Sequence, residues 1–130
     1  MEGIKMYRNH LLKLADLLDH IKVEEFNIHR WQDSCGTVAC AIGHAAKDPY
    51  FQELGLTLMK PETMPTGCYS EGVRPHFEGE YGFVAAAKLF GISYDDAERL
   101  FSFVGYAWIG GTKKVHPSDV AQRIRLFVYD

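Results

Sequence analysis

The chain has 130 residues, 47% hydrophobic and 24% charged, with 14 Lys and Arg against 17 Asp and Glu for a net charge of −3. That is the composition of one ordinary globular domain spanning residues 1–130. It excludes a disordered chain and gives no global attraction to nucleic acid or anionic lipid. Apolar runs are too short for a membrane span, and three Cys is an odd number for a disulfide framework. The first ten residues carry no charged-then-apolar export pattern, so the expected location is the cytoplasm, with reduced thiols.

Helical periodicity organises most of the chain. Ile4, Tyr7, Leu11, Leu14, Leu18 and Ile21 recur at steps of three and four, predicting a first helix from about Ile4 to Ile21 with one buried stripe. Glu24 to Gln32 reads as an extended connector in which Phe26 and Ile28 alternate with polar residues, as in a short strand. A second helix is expected to start near Cys35, capped by Asp33 or Ser34, and to run through Val38–Ala46. It is apolar almost all round, which marks it as the central helix of the fold. Asp48-Pro49 predicts a short helix stopped by Gly55, and Leu56–Leu58 a strand that could pair with Val73–Phe77. Residues 60–78, rich in Pro and Gly, read as a long irregular stretch. A helix over Glu80–Phe90 ends at Gly91. Ser93 caps the next, whose stripe is Tyr94, Ala97, Leu100, Phe101 and Val104. Gly105 to Lys114 reads as a loop, and His116-Pro117-Ser118-Asp119 opens the last helix. The expected fold is mainly α (α+β): about six helices around a central apolar helix, with at most a small two- or three-stranded sheet.

Cys35 is the sharpest chemical candidate. A helix N-terminus stabilises a thiolate, Gln32 is placed to donate to an oxyanion, and His29, His44, His76 and His116 are available as bases. A small buried cysteine beside a serine cap fits the same residues. Cys40 and His44, at i and i+4, share a helix face and suit two zinc ligands. A full set of four would need Cys68, His76 or His29 from elsewhere, and a core thiol beside a partly buried imidazole accounts for the pair without metal. Gly36-Thr37 at a helix start suits an anion, but no phosphate-loop pattern is present, and Gly79-Glu80-Tyr81-Gly82 is no dinucleotide fingerprint. Lys113, Lys114, Arg123 and Arg125 make the C-terminal end locally basic. Tyr50, Phe51, Tyr69, Phe77, Tyr81, Tyr106 and Trp108 lie in or beside loops, which suits either a binding surface or a core closed over by rings.

Phe26-Asn27-Ile28, Trp31 and Cys35-Gly36-Thr37-Val38-Ala39-Cys40-Ala41-Ile42-Gly43-His44-Ala45 together resemble a group of small bacteriophage and bacterial proteins of unknown function with a CGTxxCxxG motif. Pro75 to Phe77, Leu89-Phe90-Gly91-Ile92 and Pro117-Ser118-Asp119-Val120-Ala121-Gln122-Arg123-Ile124 extend the resemblance over most of the chain. Where the group has Trp, this chain has His44, which argues against His44 as a shared ligand or base. The resemblance implies a mobile-element context and carries no reaction.

The resulting expectation is a non-enzymatic binding protein without cofactor. It would engage a host protein or a small anionic, nucleotide-like ligand through the 60–78 and 105–114 loops, with counteraction of host defence as the context. Thr37, Tyr69, Arg74, Tyr81, Trp108 and Lys113 are the expected contacts. The alternatives are a cysteine hydrolase or transferase using Cys35, His29 and Gln32, and a zinc-stabilised module using Cys40, His44, Cys68 and His76. Membrane and nucleic-acid partners are not expected. Homo-oligomerisation is, because the apolar and aromatic content exceeds what a small core hides.

Overall fold

The first and last helices of the chain carry the clearest apolar stripes, and these stripes pack against each other. A computed structural model describes residues 7–28, 39–59, 74–102, 105–106 and 115–129. Helix α1 (Arg8–Leu18) buries Leu11, Leu14, Ala15 and Leu18, and helix α6 (Pro117–Tyr129) buries Val120, Ala121, Ile124 and Val128 in the same core. At the rim Arg125 of α6 reaches Asp16 at 2.9 Å and Asp19 at 2.6 Å on α1. All three groups are solvent-exposed enough that the network contributes about 1 kcal/mol at most.

Helix α1 is shorter than its periodicity suggests. Tyr7, expected in the buried stripe, is 44% exposed. It is the residue before the helix, with φ −94° and ψ 85°, so its side chain does not follow the helical wheel. At the other end His20 and Ile21 donate to Leu17 and Leu18, a tightened last turn that ends the ladder.

Val23–Glu25 form a single 3-10 turn, after which the fully buried Phe26 pairs in parallel with Ala39. The expected strand is thus reduced to one bridge. The same bridge shortens the second helix: Ala39 N–H donates to the Glu25 carbonyl and Ala39 C=O accepts from Asn27. Both backbone groups of Ala39 are therefore committed outside a helical ladder. Helix α2 starts at Ala41 and ends at Ala45, with Cys40 extended in front of it. Its five residues are all buried, and in this it is the enclosed inner helix that the sequence leads one to expect.

Helix α3 (Pro49–Leu54) begins as expected, with the Asp48 carboxylate accepting from Tyr50 N–H at 3.1 Å and Pro49 in the first turn. It ends at Gly55 with φ 111°. Strands β1 (Thr57–Met59), β2 (Arg74–Phe77) and β3 (Glu80–Tyr81) form an antiparallel sheet in the order β1-β2-β3. The predicted pairing of the first two is present, with Thr57 opposite His76 and Met59 opposite Arg74. Glu80 and Tyr81, expected to be helical, instead form β3, and helix α4 spans Gly82–Phe90. Glu78 and Gly79 link β2 to β3, both at positive φ (49° and 86°), which closes a tight hairpin before any helix can begin.

Helix α5 (Tyr94–Phe101) is capped by Ser93, whose hydroxyl accepts from Asp96 N–H at 3.0 Å. Tyr94, placed by its spacing in the buried stripe, is 47% exposed, because it is the first residue of the helix and its ring lies edge-on to Phe83. Phe51, Phe90 and Phe101 form a chain of rings through the core at 6.1 and 5.4 Å. Among the loop-adjacent aromatics, Phe51, Phe77 and Tyr106 are therefore core residues.

Gly105 and Tyr106, expected in a loop, lock α5 to α6. The Tyr106 hydroxyl donates to Leu100 C=O at 2.8 Å, Arg123 donates to Gly105 C=O at 2.9 Å, and the Arg123 guanidinium lies over the Tyr106 ring. A Cβ at Gly105 would overlap the Arg99 carbonyl group in the last turn of α5. Gly105→Ala is expected to destabilise the protein by about 3 kcal/mol or more, since backbone would have to move. Tyr106→Phe should cost about 1–3 kcal/mol by leaving the Leu100 carbonyl unpaired. Urea unfolding of both variants checks the order and the sizes.

Candidate functional site

Alternation along β2 separates two kinds of residue. Pro75 and Phe77 are buried, whereas Arg74 and His76 are half-buried on the opposite face. Antiparallel register adds neighbours to that outer face. Thr57 and Met59 lie across from His76 and Arg74 on β1, and Tyr81 lies across from His76 on β3. Residues directly opposite in an antiparallel pair project from the same face of the sheet. The His76 and Tyr81 rings are 4.8 Å apart at their centroids, tilted by 57°. A guanidinium, an imidazole and a phenol thus share one sheet surface, with the Met59 side chain, 43% exposed, beside them.

Local sequence explains the placement. The ring of Pro75 lacks an N–H, yet it sits in the middle strand. This is tolerated because β3 pairs only with His76 and Phe77 and stops short of it. Phe77 anchors the buried face against the core, and α4, which begins directly after Tyr81, packs on β2. Tyr81 precedes α4 with extended dihedrals, and no side chain caps that helix. Among the described residues Arg74 has no carboxylate partner. The arrangement offers a cation and two aromatic rings on one sheet face. That suits recognition of an anionic group attached to a flat or apolar body.

Of the expected contacts, Arg74 and Tyr81 are brought together here. Thr37, Tyr69, Trp108 and Lys113 lie outside the described residues, as do Cys35, His29, Gln32 and Cys68. The 60–78 stretch is expected to be irregular, but its last five residues are strand β2 and the first residue of the hairpin turn. His76, considered in the sequence only as a base or a metal ligand, joins Arg74 and Tyr81. The signal for this was the alternation Arg74-Pro75-His76-Phe77, which places positions 74 and 76 on one face of any strand.

Cys40 and His44 are placed elsewhere, in the interior. The Cys40 thiol is fully buried, and burial pushes its pKa up to about 11 despite nearby backbone N–H groups that favour the thiolate. At neutral pH it is a protonated thiol, which does not suit nucleophilic attack. His44 is 7% exposed, and its Nε2–H donates to the Glu25 carbonyl at 2.6 Å. His76 stands on the outer sheet face. Among the described residues no cluster of three His, Cys, Asp or Glu side chains is arranged to hold a metal ion. Of the basic C-terminal residues, Arg123 and Arg125 are engaged with Gly105 and with Asp16 and Asp19. His116 is exposed, and its N–H is capped by Asp119.

Burial holds the His44 imidazole below its ordinary pKa of 6.5, with the Lys47 charge acting in the same direction and the Glu25 carbonyl and carboxylate opposing both. Above pH 6.5 the neutral ring contributes its full stabilisation. As pH falls below that value the unfolded chain takes up a proton that the folded chain resists. Stability is then lost down to the lowered folded pKa. Urea unfolding at pH 8 and pH 5 should show a larger loss for the native chain than for His44→Gln, which is less stable at pH 8. A second measurement isolates Cys40. In a Cys35→Ser/Cys68→Ser variant, iodoacetamide should label Cys40 at least about a hundredfold more slowly in buffer than in urea, because reaction requires the core to open.

Comparisons with protein-family models, with curated proteins and with solved structures give no match to this chain.

Proposed function

We propose that this chain is a non-enzymatic binding protein of the phage type that holds a small anionic, nucleotide-like ligand on the outer face of its sheet. The observation that carries this reading is the convergence of Arg74, His76 and Tyr81 on one surface through strand register. Arg74 supplies the charge-assisted contact to the anion. The Tyr81 and His76 rings and the Met59 side chain supply the surface for the ligand's body. The buried, protonated Cys40 and the carbonyl-bound His44 are interior residues that take no part in this site; the covalent alternative on Cys35, His29 and Gln32 falls outside the described residues. Sequestering a signalling nucleotide would fit the mobile-element context and a role against host defence. Among the described residues no helix is long and apolar enough to cross a membrane.

Calorimetric titration with cyclic dinucleotides and with ADP-ribose tests this reading. Binding of at least one is expected. Arg74→Ala and Tyr81→Leu should each weaken it by about tenfold or more, as loss of a charged hydrogen bond or a stacked ring requires. Absence of heat with all of them removes the small-ligand reading.

A further inference from the structure

Histidine is the side chain that changes charge between about pH 5 and 8, and the outer sheet face holds one. His76 stands two residues from Arg74 on β2, on the same face, with the Tyr81 ring centroid 4.8 Å from its own. Side chains two apart on a strand leave it about 6.5 Å from each other, so one anionic group can reach both.

The histidines of α1, of the turn after it and of α2 each have a ring nitrogen committed to backbone. His10 Nδ1 lies 3.1 Å from the Leu89 carbonyl oxygen, His20 Nδ1 2.9 Å from that of Asp16, and His44 Nε2 2.6 Å from that of Glu25. Among the described residues the His76 ring has no such bond, and its contact is the Tyr81 ring. The elements packed on β2 bring no described carboxylate to its face. Strand β1 brings Thr57 and Met59, and β3 brings Tyr81, whereas Glu80 stands across from Phe77 on the other face. Glu78, exposed, belongs to the turn. The titratable side chain of α4 is Lys88, which donates to the Glu78 carbonyl, and that of α2 is His44, already bound to Glu25. Among the described residues the charge on the His76 face is therefore that of Arg74.

We propose that His76 is the second, pH-dependent cation of the sheet site: it takes up a proton when an anionic group is held against Arg74, and so ties capture of the nucleotide to acidity. This rests on the sheet reading above and adds its regulation. A proton on His76 places two positive charges side by side, and the group that balances them comes from the ligand. The anion favours the charged imidazole, and the charged imidazole favours the anion by the same factor, because linkage is reciprocal. The ring can do this and still carry the ligand's body with Tyr81, since its N–H groups point from the edge and leave the face open. Loss of the fold through His44 lowers binding as pH falls, so it acts against this effect and cannot imitate it.

The test is calorimetry on the intact protein with ADP-ribose and with cyclic di-AMP. Their phosphate groups keep their charge over the range used, unlike phosphomonoesters, which titrate at about pH 6. Affinity is expected to be about tenfold higher at pH 5.5 than at pH 8, as one added charged hydrogen bond requires. At pH 6.5, buffers of different ionisation heat should report net proton uptake on binding. His76→Gln is expected to bind more weakly, and equally at the two pH values, with its fold checked by circular dichroism. In the native chain the NMR titration midpoint of the His76 ring should rise by about one pH unit when the nucleotide is present, which a merely structural ring would not show. Equal affinity at both pH values, proton release, or a pH dependence that survives in His76→Gln overturns the proposal and leaves the sheet site standing. No heat with either nucleotide at either pH removes the sheet reading and this inference together.

Discussion

The Glu25 carbonyl oxygen accepts two hydrogen bonds, from the amide of Ala39 and from the imidazole of His44, and the interior is arranged around that oxygen. A helix of five residues has no stability of its own, because the nucleation cost is not recovered over so short a length. Helix α2 exists because its surroundings hold it. The parallel bridge between Phe26 and Ala39 fixes its entry, His44 ties its last turn to the 3-10 turn, and α1 and β2 pack on it. Glu25 is half-buried, and its backbone carbonyl is the group that faces α2. This is why a helix enclosed on all sides can carry a histidine: the ring's polar edge is satisfied by a carbonyl that would otherwise need a second donor.

Much of this architecture is written in local signals. Asp48-Pro49 and Gly55 bound α3, Ser93 and Gly91 bound the turn between α4 and α5, and the stripes of α1 and α6 name their own buried faces. These readings hold because each rests on a backbone requirement met within a few residues. Three features were not legible. The true start of α2 depends on a bridge to a segment far back in the chain, which no local pattern announces. Glu80-Tyr81 became strand because Glu78 and Gly79 turn the chain first. Tyr7 and Tyr94 match the helical spacing, but they stand at helix starts, where spacing no longer sets direction.

The same distinction applies to function. Arg74 and Tyr81 could be named from chemistry, but only register places them on one face, with His76 between them. The contact between His10 and Tyr50 was harder to see, because the two are forty residues apart in sequence and meet only through packing.

The hairpin between β2 and β3 has only two residues, Glu78 and Gly79. Because successive strand residues face opposite ways, a single insertion or deletion there would swap which of Glu80 and Tyr81 stands opposite His76. In related chains this turn should tolerate changes of identity, with Asn or Gly in place of Glu78, but not changes of length. Length variation would be confined to connections that carry no register information.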